Sequence, residues 1–438
     1  MAEQLLQQLQ SSQLPINGVI VTKTGHDDGS LKGSGIIVRE ASHPVPCEAG
    51  VSATQELIAH AKTHVDGETC VFVLLTGGGS SLLVAPREGL CLADLQCTSS
   101  LLLGCGADIT ELNCVRRALS AVKGGRLRPH LRAASRVCTL ALSDVVGDDL
   151  TTIASGPTVP PTTTPADALA VLKKYSLLDR IVPAVSAVLQ ATPSPPAAAG
   201  AQADDPEATS EQKMEHFSAH VIGSNALALD AAATAATAAG FKPLVLSSRL
   251  EGEASQVACD LVQLAGAMAR PEYTDSRISE SSLTDTLVRL GVAWDAASVP
   301  PLDTPTALIF GGETTVQLST PDGSPPGMGG RNQELALAAA VAFAEGPLGG
   351  VFVGGLPAAT LLAIGTDGTD GPTDAAGGLV TCCTLNASSD APLSLVDAKA
   401  ALRQHSAYTA LQQAGCLLKT GPTGTNVMDV TIVFLSPA

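Results

Sequence analysis

Short, continuous apolar runs that stop at polar, glycine-rich turns recur along the whole chain. Cys70-Val71-Phe72-Val73-Leu74-Leu75 stops at Thr76-Gly77-Gly78-Gly79-Ser80-Ser81, and residues 137–142 stop at Ser143-Asp144-Val145-Val146-Gly147-Asp148-Asp149. Runs without polar alternation predict parallel strands buried on both faces. Similar runs predict strands over residues 18–22, 219–222, 243–246, 307–310, 361–364 and 430–435, with 316–318 as a hairpin partner of the 307–310 strand.

Between these strands the period lengthens to that of helices. Residues 2–10 form a predicted helix with its leucines on one side. Asp108 and Glu111 make a capping box that opens another, running through Leu112, Val115, Leu119 and Val122 to Gly124-Gly125, so that Lys123 and Arg126 fall at its C-terminal end. An alanine-rich helix ends at Ala239 and a further one covers 333–344. Residues 190–213, crowded with Pro, Ala, Asp, Glu and Ser, bury too little apolar surface to order themselves and are expected to be a disordered surface insertion. Residues 272–285 are more polar still and are expected to be an exposed loop.

Composition narrows the class. The 438 residues exceed one compact core and predict two domains at roughly 100–200 residues each. With 45% hydrophobic and 15% charged residues, few aromatics and much Ala, Leu, Val and Gly, the chain is globular and suited to aliphatic helices on sheets, an α/β fold. A formal charge of −17 excludes a nucleic-acid or anionic-membrane surface, since either needs a basic footprint. An anionic ligand must instead meet local cations: Arg116, Arg117, Lys123 and Arg126, which crowd one segment, or Arg331. The 11 cysteines form no CxxC pair and predict a reducing compartment, the cytoplasm. His60 with His64 and His216 with His220 have helical ligand spacing but no metal-site context. Asn386-Ala387-Ser388 is a glycosylation sequon only in a secreted protein, and the sequence shows neither a signal peptide nor a long uncharged span.

The chemistry concentrates in the turns. Gly311-Gly312-Glu313-Thr314-Thr315 and Gly329-Gly330-Arg331-Asn332-Gln333-Glu334 set one arginine and two carboxylates among glycines, which suits a small anion: a guanidinium fork with unobstructed backbone N–H groups beside it. In open α/β sheets ligands gather beyond the carboxyl ends of strands, where most of these loops fall. Gly77, Gly78, Gly79, Ser80 and Ser81 could cradle a phosphate, although the loop is neither a Walker A nor a GxGxxG motif. Asp144 and Asp367, nearest the strand ends, suit a Mg²⁺ ion shared with phosphate oxygens, whereas Asp149 and Asp374 read as turn formers.

In order along the chain, Leu75-Thr76-Gly77-Gly78-Gly79-Ser80-Ser81, Glu111-Leu112-Asn113 through Lys123-Gly124-Gly125, Leu142-Ser143-Asp144-Val145-Val146-Gly147-Asp148, Ile153-Ala154-Ser155-Gly156-Pro157-Thr158, Ile222-Gly223-Ser224-Asn225, Gly330-Arg331-Asn332-Gln333-Glu334, Gly365-Thr366-Asp367-Gly368 and Thr423-Gly424-Thr425-Asn426 resemble the D-glycerate kinases of the MOFRL family, the glycerate 2-kinases. The resemblance covers nearly the whole chain. It implies a Rossmann-like parallel-sheet N-terminal domain, drawn here as residues 1–247, a smaller α/β C-terminal domain, residues 248–438, and an active site in the cleft between them. It also implies ATP with Mg²⁺ and D-glycerate as acceptor, the 2-phosphate as product, and is compatible with a homodimer. Arg331 matches the family's catalytic or substrate-binding arginine. By position, Lys123 and Asp367 join it as catalytic candidates, Asp144 as the metal ligand, and the 77–81 loop, Asn113, Ser155, Asn225, Glu313 and Asn332 as the substrate or phosphate contacts. Family members begin with an additional strand and a Gly-Lys-Ala turn whose lysine acts in catalysis, and this sequence starts just after the place of that turn. The N-terminal domain is therefore expected to be truncated, and a mitochondrial targeting segment would have to lie upstream of Met1. Lys23 and Lys32 do not match the turn. The alternatives are a catalytically impaired form acting as a binding or regulatory protein, and a sugar-phosphate isomerase built on the 77–81 loop, which leaves Arg331 unexplained.

Overall fold

In a computed structural model of the chain, all residues are described except 10–13, 192–215, 270–279, 321–322, 347, 354, 386–391 and 438. Residues 192–213 of the expected insertion and the sequon at Asn386 lie outside the described residues, while Gln190 and Ala191 end the helix Pro183–Ala191. The chain divides into two compact units, Met1–Leu142 with Asp148–Ile222, and Ser143–Gly147 with Gly223–Ala438. The division falls after Ile222 rather than after 247, because Leu229 and Ala236 of the helix Asn225–Ala238 pack on Ala307 and Ile309 of the second unit's sheet.

In the first unit β1 (Gly18–Lys23) and β2 (Ile36–Ala41) form a parallel pair, and β3 (Cys70–Leu75), β4 (Arg136–Leu142) and β5 (Phe217–Gly223) form a sheet in that order, with β3 and β4 parallel. Val71, Val73 and Val137 pack with Ala61, Leu127 and Leu131. The expectation that β3 is buried on both faces fails: it is an edge strand, and Phe72 on its other face is 38% exposed. The helix Ala2–Leu9 forms, yet none of its residues is buried. Four helices, Leu92–Gly104, Ile109–Ala118, Pro165–Lys174 and Pro183–Ala191, enclose Leu102, Leu112, Val115, Leu172 and Leu189.

The capping box of Asp108 and Glu111 is present, but its helix stops at Ala118 rather than at Gly124. Residues beyond it take other partners: the Ala121 N–H donates to Ala85 O, and those of Gly124, Gly125 and Leu127 donate to the carbonyls of Ser155, Gly156 and Pro157. Lys123 therefore lies in a loop laced to another loop, not at a helix end.

The second unit holds a six-stranded sheet. Its strands are β6 (Lys242–Leu250), β7 (Thr306–Gly312), β10 (Ala359–Gly365), β11 (Gly377–Thr381), β12 (Leu417–Leu418) and β13 (Asp429–Leu435), in the order β12-β11-β10-β13-β7-β6; β8 (Phe352–Val353) and β9 (Leu356–Pro357) form a separate hairpin. Only β6 and β7 are parallel; the other pairs are antiparallel. The predicted hairpin strand at 316–318 is absent, since β7 already has β13 and β6 as neighbours. Period-two alternation sends Leu308 and Phe310 to the face covered by the helices Ala254–Ala269 and Arg331–Glu345, and Ala307 and Ile309 to the face covered by Asn225–Ala238. Residues 280–285 of the expected loop belong instead to the helix Glu280–Arg289, where Leu283 and Leu287 are buried and Arg289 donates two hydrogen bonds to the buried Asp260.

Antiparallel pairing has one consequence for chemistry. The ends of β7 and β10 meet the start of β13, with Gly312 opposite Asp429 and Asp429 opposite Gly365. Gly312 has φ +140, and a Cβ there would fall on the backbone N and O of Leu250, inside contact distance. Gly312→Ala is expected to cost about 2 kcal/mol or more, from strain plus collision. A denaturation midpoint equal to that of the parent chain would overturn this account of the edge.

Candidate functional site

Arg331 is the first residue of the helix Arg331–Glu345, with Gly330 as its N-cap. Its Nε and Nη2 donate to the two carboxylate oxygens of Asp429, and its Nη1 pairs with Glu313 Oε1 at 2.9 Å. Burial disfavours the guanidinium charge, but the Asp429 hydrogen bonds and the charges of Asp429 and Glu313 outweigh it, so the group is held more firmly protonated than a free arginine. The fork is therefore occupied within the protein rather than presented open.

The helix N-terminus beside it is also filled. Asp370, 2% exposed, accepts the N–H groups of Asn332 and Gln333. Its own carboxylate thus takes the place a ligand anion would have at these donors. Gly330 is required by this approach, because a Cβ would collide with the Asp370 carboxylate. Burial raises the Asp370 pKa against the lowering effect of those N–H donors. Glu334, the second carboxylate of the phrase, turns away to His405 at 3.1 Å.

Asp429 was not singled out from the sequence. It is placed by a strained turn: Met428 has φ +68, its N–H donates to Asn426 Oδ1, and its carbonyl accepts from both the N–H and the hydroxyl of Thr366. The Thr366 hydroxyl also accepts the Val427 N–H. A carboxylate heading an otherwise apolar strand, directly after a polar turn, was the available signal. Non-glycine residues in this backbone region persist where the surroundings over-determine them, often at functional sites.

Glu313 is the most available carboxylate of the cluster, with a side chain 46% exposed. Burial raises its pKa, Arg331 opposes the rise, and the negative charges of Asp429, Asp144 and Asp367 add to it. The structure thus brings Arg331, Glu313, Asp144 and Asp367 into one electrostatic neighbourhood. Asp367 also closes its own turn by accepting the Thr369 N–H.

Two expected substrate contacts have structural work instead. Asn225 donates both amide hydrogens to the carbonyls of Val427 and Asp429 and is 2% exposed, which makes it a strut for the Asp429 turn. Asn332, 1% exposed, donates to Asp370 and does not reach solvent.

The first unit carries the other expected residues. The loop of Gly77, Gly78 and Gly79 leads into the short helix Gly79–Leu82; Ser81 Oγ donates to Gly78 O, and Ser80 Oγ lies 2.8 Å from Ser155 Oγ. Ala154 and Ser155 both have positive φ, so this second loop is strained against the first. Asn113 lies on the helix Ile109–Ala118 and is 8% exposed. Lys123, expected to be catalytic, is buried beneath the loop: its Nζ donates to Ser80 O at 2.6 Å and Leu83 O at 2.8 Å. With its amine spent on backbone carbonyls, Lys123 positions the loop rather than reaching a ligand. Burial, with repulsion from Arg116, brings its pKa down to about 7. Among the described residues no group of three or more His, Cys, Asp and Glu is arranged to hold a metal ion, and no helix is long and apolar enough to cross a membrane.

Fold and site define an α/β protein whose strand-end loops hold an arginine and several carboxylates, and similarity to known proteins gives the family. Residues 306–429 match the MOFRL family, and residues 1–190 match a domain of unknown function, DUF4147. The D-glycerate 2-kinase of Thermotoga maritima is 38% identical over 418 residues, 95% of this chain and 83% of that protein. An Agrobacterium vitis protein provisionally named a hydroxypyruvate reductase is 36% identical over 96% of this chain and 81% of its own length. The crystal structure of the Thermotoga maritima glycerate kinase superposes with a TM-score of 0.74 at 35% identity, covering 96% of this chain and 85% of that one. The chain belongs to the glycerate 2-kinase family with a MOFRL domain.

The Lys123 pKa, about 7, lies below the value near 10.4 of a lysine in an unfolded chain. Between those values the unfolded state binds more protons, so this group makes stability rise with pH from about 7 to about 10, by at most about 1.4 kcal/mol per pH unit. Measured by denaturation across that window, the stability of the parent chain should rise with pH relative to that of Lys123→Met, by up to that slope. Parallel pH curves would show that the amine keeps an ordinary pKa.

Proposed function

We propose that this chain is an ATP-dependent glycerate kinase that forms 2-phosphoglycerate, and that the Arg331 cluster is its reacting centre. The observation that carries the residue assignment is the guanidinium of Arg331, locked by Asp429 on one edge and shared with the half-exposed Glu313 on the other. Asp429 fixes where the arginine points. Glu313 is the partner that can give way, so that an anionic substrate group, the glycerate carboxylate or the moving phosphoryl group, takes its place on Nη1. Phosphoryl transfer needs positioning and charge stabilisation more than covalent chemistry, and a fork already aligned costs nothing to reorganise.

Glu313 has a second use in this reading. Its raised pKa makes it a better proton acceptor than an ordinary carboxylate, suited to orient the attacking hydroxyl and to receive its proton as the new O–P bond forms and the bond between the γ-phosphorus and the departing ADP oxygen breaks. Mg²⁺ usually takes one or two carboxylates and completes its shell with phosphate oxygens and water. Asp144 and Asp367, both near enough to act on Glu313, fit that donor set, though not a cage assembled without nucleotide. Bound there with ATP, the ion would neutralise phosphate charge. The hydroxypyruvate reductase name carried by two Agrobacterium vitis relatives would require a dinucleotide cradle, and the glycine loops have no GxGxxG pattern.

Arg331→Ala should lower kcat for glycerate-dependent ADP release about 10²- to 10³-fold, as loss of a transition-state donor does, with an unchanged far-ultraviolet spectrum. Near-normal turnover in the folded variant removes Arg331 from the reaction. Thr366→Val, which removes the two hydrogen bonds of the hydroxyl and keeps the backbone one to Met428 O, is expected to lower kcat more than it raises KM, while Thr366→Ser keeps most activity. Equal kinetics in the two variants would detach the turn from catalysis.

A further inference from the structure

A small cavity beside Asp429 is lined by Leu250, Gly311, Gly312, Thr314, Asn332, Asp429 and Thr431, with about 10 Å³ open to the centre of a water molecule. That is about the space one water requires. Two of its lining side chains end in buried oxygens with no hydrogen-bond partner, Thr314 Oγ1 and Asn332 Oδ1, on residues only 5% and 1% exposed. The amide nitrogen of Asn332 is fixed on Asp370 Oδ1, which leaves its carbonyl oxygen to face elsewhere. Buried polar atoms in folded proteins rarely go unsatisfied, and where protein groups do not meet them an ordered water commonly does.

We infer that this cavity is a binding site for a single ordered water, which accepts a hydrogen bond from the Thr314 hydroxyl and donates one to Asn332 Oδ1. The donor and acceptor count fits water. Thr314 has a hydrogen to give, Asn332 Oδ1 has lone pairs to fill, and Asp429 and Thr431, which line the same space, carry further acceptor oxygens for the water's second hydrogen. A dehydrated cation fits poorly: it would need more oxygens than Thr314, Asn332, Asp429 and Thr431 supply, in a space for one small molecule, next to a guanidinium. The water joins three residues that flank the reacting cluster: Thr314 follows Glu313, Asn332 follows Arg331, and Asp429 holds the fork. It is thus a rivet between the β7 turn, the start of the Arg331–Glu345 helix and the start of β13. The site stands on geometry alone and does not require the kinase reading.

The test is a crystal structure of the whole chain at about 1.5 Å resolution or better, with Thr314→Ser and Thr314→Val variants beside it. The parent chain and Thr314→Ser should show one spherical density about 2.6–3.2 Å from both the residue 314 hydroxyl and Asn332 Oδ1. Thr314→Val, close in shape but without the hydroxyl, should lose it. In solution, oxygen-17 relaxation dispersion should count one fewer long-lived water in Thr314→Val than in the parent. An empty cavity in the parent chain, an Asn332 turned so that its oxygen meets a protein donor, or a density that shortens to metal–oxygen distances and exchanges with added sodium or potassium would each overturn the inference. If Thr314→Val does not fold, the parent structure decides by itself.

Discussion

The two hydrogen bonds between Arg331 and Asp429 join residues 98 positions apart and organise the strand ends of the second unit's sheet. With Asp429 buried and the Arg331 side chain 32% exposed, the pair gains from Coulomb attraction only when its geometry is good, because the carboxylate has left water. The sheet supplies the geometry. Asp429 sits opposite Gly312 on one neighbour and Gly365 on the other, so its backbone is fixed from both sides, and the helix that carries Arg331 lies across the same face. Asn225 and Thr366 then clamp the turn before it. Displacing any one of these would move the guanidinium.

The pair also explains how one arginine can serve a chain with a formal charge of −17. Asp370 occupies the helix N-terminus and Asp429 occupies one edge of the fork, both buried. Glu313 on the other edge is half-exposed, with its charge already disfavoured by burial and by its acidic neighbours. In the proposed reading an incoming anion would compete with this weakest-held carboxylate, with the fixed ones setting orientation.

The helices and strands were legible from the sequence because their signals are local. Apolar runs located β3, β4, β7, β10 and β13 to within a few residues, and the capping box located the start of Ile109–Ala118. What was not legible depends on pairing between distant segments. Nothing in residues 307–310 says that their neighbour is antiparallel and begins at Asp429 rather than at 316–318. Likewise the helix period through Leu119 and Val122 is genuine, but carbonyls of Ala85 and of residues 155–157 outbid it. Arg331, Glu313, Asp144 and Asp367 were recognisable by residue type and position. Asn225, Asn332 and Lys123 looked equally available, and their donors turned out to be committed to backbone carbonyls or to Asp370. Burial and hydrogen-bond partners sort ligand contacts from struts, and neither is written in a motif.

Backbone strain marks the same places independently of side-chain chemistry. Among the described residues, the non-glycine ones with positive φ are Asp148, Ala154, Ser155, Ser176, His405 and Met428. Ala154 and Ser155 press on the 77–81 loop, Met428 precedes Asp429, and His405 holds Glu334. Each such residue costs of order 1–3 kcal/mol, so a chain keeps them where a turn's shape matters more than its stability. Ala154 and Ser155 beside the glycine loop of the first unit and Met428 at the arginine edge of the second mark two turns whose shape is held at a cost in stability. Lys123 belongs to that argument. A buried amine with its pKa lowered by desolvation is an expensive way to hold two carbonyls, and its position under Ser80 is where a fixed loop is worth the cost.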